Sequence, residues 1–185
     1  MINIFRKLFI VFGTLLISIG FFIVFWKDVS FKVDVFNKDV EKSREIVRTV
    51  NYDYNIFNKI VVPYKEEVVK FSNSLDFYYD NFAQKNGSFL ESINNIKSYI
   101  IDSVPIASRM LDNCKYELNN EIMSQQCSIF SINFKAMIDV YSDMIAEYNK
   151  VVEKYNQYAV SVGSQTISLY VNLREDEFYR LYDKF

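Results

Sequence analysis

The spacing of apolar residues constrains this chain more than any other feature. Phe130, Phe134, Met137, Tyr141, Met144, Tyr148, Val151, Tyr155, Tyr158 and Val162 recur at alternating intervals of three and four, with no polar residue among the ten. Only an α-helix places such residues on one stripe, and a stripe of that length must be buried against other helices. The same interval runs through Val29, Val33, Phe36, Val40, Val47, Val50, Tyr54, Phe57, Val61, Tyr64, Val68, Phe71, Leu75, Tyr78 and Phe82, interrupted only by Ser43. Its phase passes Pro63 unchanged, which predicts one long helix kinked or briefly broken near Val62 and Pro63.

Between these seams, Asn86 and Gly87 read as a turn, and Ser88 as a helix N-cap with Glu91 three residues on. The helix that follows carries Ile93, Ile96, Ile100, Val104, Ala107, Leu111, Cys114 and Leu118 on one stripe, with Pro105 as a second kink. The polar stretch 119–126 ends or weakens it, and the third helix stops near Gly163. Beyond that glycine, TISLYVNL reads as a short strand or an extended tail, and REDEFYRLYDKF has the spacing of a closing helix through Phe178, Leu181 and Phe185. Four glycines and two prolines in 185 residues disfavour a turn-rich β fold. The expected fold is all-α: an elongated antiparallel bundle of three to four long helices over residues 28–163, with 164–185 a tail or short closing helix.

Ahead of the bundle, LFIVFGTLLISIGFFIVFW, residues 8–26, carries no charge. At a rise of 1.5 Å per residue it spans roughly 28 Å, close to the hydrocarbon thickness of a bilayer. This predicts an N-terminal transmembrane helix over 8–26. Arg6 and Lys7 before it and Trp26 at its end place residues 1–7 in the cytoplasm and the bundle outside, although Lys27 partly balances the bias. A cleavable signal peptide is the alternative, but WKDVSFKVD offers no small-x-small cleavage site. The expectation is a single-pass protein of the cell membrane with an extracytoplasmic bundle, periplasmic or on the outer face.

Composition removes several function classes. With 21 basic and 23 acidic residues the net charge is −2, and neither sign gathers into blocks, so nucleic acid is not an expected partner. The chain contains no His, which takes away the commonest general base and zinc ligand, and it has no glycine-rich phosphate loop. Glu66 with Glu67, Asp139 with Asp143, and Glu175 to Glu177 read as solvated helix faces. No catalytic, cofactor-binding or metal-binding residues are expected, and the chain does not read as an enzyme. Cys114 and Cys127 would form a disulfide between the second and third helices of an outward-facing domain, or remain two free thiols on a cytoplasmic one.

Two stretches resemble the LemA family of bacterial membrane-anchored helical proteins. YNKVVEKYN repeats Tyr148-Asn149 at Tyr155-Asn156, one heptad on, followed by VNLREDEFY; and VVPYKEEVVKF places Pro63 ahead of Val69-Lys70. The chain departs from that pattern in having Asn58 and Lys59 where an Arg is usual, and Gly163 where a proline is usual. The resemblance implies an N-terminal anchor, a long antiparallel coiled-coil-like bundle and no catalytic activity. Tyr148, Asn149, Tyr155 and Asn156 would then line an edge of the third helix used for helix-to-helix hydrogen bonding or for contact with a partner. The expected function is a non-enzymatic, membrane-tethered scaffold or interaction module of the bacterial cell envelope, with other envelope proteins as partners. Ligand sensing through a partner protein is the alternative, since the kinks would leave gaps between helices. The regular seams also fit self-association into a homo-oligomer.

Overall fold

The computed structural model describes residues 2–75, 81–116, 120–170 and 176–185, and the side chains of these apart from residues 2–17, 176 and 177. The fold is all-α, with α1 (Ile2–Leu75), α2 (Phe82–Cys114), α3 (Glu121–Ser161) and α4 (Asp176–Tyr182), and no strand among the described residues. The chain divides into two compact units, residues 1–46 and 47–185.

The first unit is helical throughout its described residues and leaves its large apolar side chains uncovered. Phe21, Phe22, Phe25, Trp26, Phe31 and Phe36 are all more than 60% exposed, and Phe22 stacks on Trp26 at 5.9 Å. Among the described residues no helix is long and apolar enough to cross a membrane. The span expected to do so, residues 8–26, falls in part on residues 8–17, whose side chains lie outside the described set.

In the second unit the seams meet as antiparallel helices should. Phe71 on α1 meets Phe89 on α2, and Asp53 on α1 meets Arg109 on α2, so these two helices run in opposite directions. Phe57 packs on Phe130 at 4.4 Å and Tyr64 reaches Met137, so α3 runs parallel to α1 and antiparallel to α2. Val50, Phe57, Ile93, Ile96, Ile100, Ala107, Met110, Phe130, Phe134, Tyr148 and Val152 are wholly buried. Each large side chain among them contributes about 1.5–3 kcal/mol through removal from water. The Tyr stripe is core only in part: Tyr141 and Tyr148 are buried, while Tyr158 is 62% exposed at the open end of α3.

Pro63 and Pro105 both lie inside continuous helices. Each lacks the N–H that would bond the carbonyl four residues back, and those carbonyls belong to Lys59 and Ile101, both exposed residues where water can take the place of the donor.

Two boundaries differ from expectation. Asn86-Gly87-Ser88 is not a turn; α2 begins at Phe82 and runs straight through it. Phe82, assigned by spacing to the end of the first seam, instead opens α2 and packs on Phe89, Tyr148 and Tyr155. Burying that aromatic cluster outweighs the cost of about 1 kcal/mol for one glycine in a helix interior. α2 ends at Cys114, ahead of the polar stretch expected to end or weaken it, and from residue 120 that stretch instead opens α3. Asn120 caps α3 by accepting from the Met123 N–H at 3.1 Å, and Glu121 sits in the first turn, where the helix dipole favours a carboxylate.

α3 ends at Ser161, and Gly163 takes φ +70°, the left-handed conformation that lets the chain leave a helix and turn back. Residues 164–170 then run extended against α3, and α4 lies lower on the same helix, with Phe178 and Leu181 buried and Phe185 against Phe130 and Phe134.

Candidate functional site

Four polar devices tie the second unit together. Cys114, the last residue of α2, is joined to Cys127 in α3 by a disulfide with a Cα–Cα distance of 6.0 Å. Asp53, wholly buried on α1, accepts two hydrogen bonds from the Arg109 guanidinium, at 2.8 and 3.1 Å. The bond to Asp53 raises the Arg109 pKa further, against the effect of burial. Burial pushes the Glu67 carboxyl up, but hydrogen bonds with Ser92, Lys70 and Asn95 outweigh it and hold that carboxyl below its ordinary range. Each of these three joins α1 to α2 or α2 to α3.

The fourth device is a ladder along one edge of α3. Lys135, Ser142, Asn149 and Asn156 stand one heptad apart, and each holds the C-terminal segment. The Lys135 ammonium lies 5.3 Å over the Tyr182 ring, and the Ser142 and Tyr179 hydroxyls are 3.1 Å apart. The two asparagines do something more particular. Asn156 accepts from the Ile167 N–H and donates to the Ile167 carbonyl, both at 2.7 Å. Asn149 does the same with Tyr170, at 2.8 and 3.0 Å. A carboxamide offers one donor and one acceptor side by side, the pattern that a neighbouring strand would present. The Tyr170 hydroxyl donates to Asn94 on α2 at 3.1 Å, and its ring meets Tyr148 edge-on at 6.5 Å.

The residues expected to form an edge on α3 therefore serve two neighbours. Tyr148 donates its hydroxyl to Asn86 of α2, and Tyr155 packs on Phe82 of α2, while Asn149 and Asn156 grip the tail. Ile167, Tyr170, Asn86 and Asn94 were not foreseen. The only sequence signal for Ile167 and Tyr170 is that they stand three apart while Asn149 and Asn156 stand seven apart, which no rule of local propensity connects.

On another face, an open groove of about 370 Å³ lies between α1 and α3, beside Pro63. Val61, Tyr64 and Val68 form one wall, and Ala136, Met137 and Val140 the other, with Lys65 and Val69 at the rim. The Tyr64 hydroxyl donates to the Met137 carbonyl at 3.1 Å, and burial, reinforced by Asp139, raises its pKa well above the ordinary tyrosine value. The same two helices expose Val62, Val69 and Ile132 at 58–63%. Among the described residues, no three His, Cys, Asp or Glu side chains converge in a way that could hold a metal ion. Comparison with family models, curated proteins and solved structures finds no match to this chain.

Proposed function

We propose that the chain is a non-enzymatic interaction module of the bacterial cell envelope, a LemA-like scaffold anchored through residues 8–26 with its bundle outside the cytoplasm. The observation that carries this reading is the groove between α1 and α3, which is open and apolar, with exposed Val69 in its lining. An open apolar groove between two helices is a common form of docking face. A photocrosslinking residue at position 69, in cells producing the full chain, tests this against one at exposed Glu153. A discrete adduct at 69 that disappears when Ala136→Phe fills the groove supports the docking face. Equal labelling at 69 and 153, or none at either, counts against it.

The groove volume also favours a second reading, extracytoplasmic sensing of a small molecule, because about 370 Å³ lies at the small end of the range for ligand pockets. Its walls would select an apolar ligand. Binding of an apolar fluorescent probe that is lost in Ala136→Phe, without any protein adduct at position 69, would favour sensing over docking.

A further inference from the structure

Asn149 and Asn156 read main chain, not side chains. All four of their hydrogen bonds go to backbone N–H and C=O groups. Ile167 and Tyr170 are half-buried, whereas Ser164, Gln165, Thr166, Ser168 and Leu169 are exposed. The spacing explains how a helix can grip an extended chain at two points. One heptad of helix advances about 10.5 Å, and three residues of extended or polyproline II chain advance about 9–10 Å. The interval of three between the gripped residues is also the period of polyproline II, which turns residues i and i+3 to the same side. Hence the pair between them faces away from α3, and among the described residues neither Ser168 nor Leu169 makes a hydrogen bond to it.

We propose that the Asn149–Asn156 ladder is a peptide-binding site, and that residues 167–170 occupy it as a placeholder for an extended segment of a partner protein. The ligand has an aliphatic residue and a tyrosine three apart. Its two inner positions need no N–H and accept proline, while the two gripped positions need their N–H and exclude it. Proline at the inner positions holds the polyproline II shape before binding and so lowers the entropy lost on docking. The tail buries no side chain fully between 164 and 170, so displacing that stretch uncovers no core residue of its own. This inference rests on the interaction-module reading but uses a different edge of α3 from the groove. Adducts at position 69 and peptide binding at the ladder can therefore fail independently.

The test titrates two fluorescent peptides, SQTIPPY and SQTPSLP, into three full-length chains: the native one, Ile167→Pro, and Asn149→Ala with Asn156→Ala. Ile167→Pro removes one N–H from the placeholder, so SQTIPPY should bind that chain at least tenfold tighter than the native chain. SQTPSLP, with proline at both gripped positions, should bind at least tenfold more weakly than SQTIPPY, and the double alanine chain should bind neither. A companion measurement needs no variant: with millimolar SQTIPPY, the Ile167 and Tyr170 amides of the native chain should exchange with deuterium severalfold faster. The proposal is overturned if the two peptides bind alike, if binding survives loss of both asparagines, or if exchange at these amides is unchanged. Concentration-dependent dimers abolished by the double alanine change would assign the ladder to a second copy's tail and overturn the partner assignment.

Discussion

The Asn156 side chain pairs with both backbone groups of Ile167, and one heptad earlier Asn149 repeats the arrangement with Tyr170. Through this pair an extended segment becomes the upper half of a fourth bundle member, whose lower half is α4. Helix α3 thus buries one stripe against α1 and α2 and uses a second, polar heptad position to hold the end of its own chain.

Removing that grip should loosen the tail without melting the bundle. In Asn149→Ala with Asn156→Ala, deuterium exchange at the Ile167 and Tyr170 amides should rise at least tenfold. The stability should fall by at most about 2–6 kcal/mol, since four bonds are lost and each is worth about 0.5–1.5 kcal/mol net of rehydration. Unchanged exchange would mean that the tail is held by something else.

The disulfide closes a short loop, Cys127 lying 13 positions beyond Cys114. Reduction, or Cys114→Ser with Cys127→Ser, should cost about 3 kcal/mol through the entropy returned to the unfolded chain. In a domain of this size that lowers the melting temperature by about 6–12 °C. Thermal melts followed by circular dichroism, with and without reductant, measure it directly.

Asp53 and Arg109 make an asymmetric pair, because the Asp53 side chain is 1% exposed and that of Arg109 is 51% exposed. Arg109→Ala strands a buried carboxylate and should destabilise by about 2–3 kcal/mol in urea denaturation, a value reduced for the solvent that already reaches the guanidinium. Asp53→Leu combined with Arg109→Met removes both charges and should cost less than Arg109→Ala alone. If the double change proves the worse, the pair contributes more than the penalty of breaking it.

Alkaline pH should unfold the domain earlier than its overall charge suggests. Burial raises the pKa of Tyr64, with Asp139 adding to the rise, and burial raises that of Tyr148 against the opposing hydrogen bond to Asn86. A raised folded-state pKa leaves the contribution intact below the unfolded value of 10.0 and removes it as the pH climbs above that value. Stability should therefore be level through neutral pH and fall above about pH 10. Tyr64→Phe should cost about 1 kcal/mol at pH 8, from the lost bond to the Met137 carbonyl, and less or nothing at pH 11. Denaturant titrations at the two pH values decide it.

Much of the bundle was legible in the sequence because burial follows helical period. Val50, Phe57, Val61, Tyr64 and Phe71, and the seam from Phe130 to Val151, are buried at the spacing that placed them on one stripe. The boundaries were less legible, since Asn86-Gly87-Ser88 carries every local mark of a turn and is overridden by Phe82 and Phe89 packing on the aromatic cluster of α3. The Tyr-Asn repeat stood out, but its use did not: the partners of Asn149 and Asn156 are backbone groups, which every residue possesses and no sequence pattern marks. A gap beside Pro63 was expected from the proline itself; its lining, with the small Ala136 across from Val61 and Val68, is marked by no motif.

The most direct test of a membrane-tethered module facing outward is thiol accessibility in intact cells producing the full chain. Cys114 and Cys127 would be labelled with a membrane-impermeant maleimide before and after treatment with an impermeant reductant. The account predicts no labelling before reduction and labelling of both cysteines after it, with the cells still intact. Labelling without reduction, and only once the cells are lysed, would place free thiols in the cytoplasm and contradict both the topology and the extracytoplasmic partner.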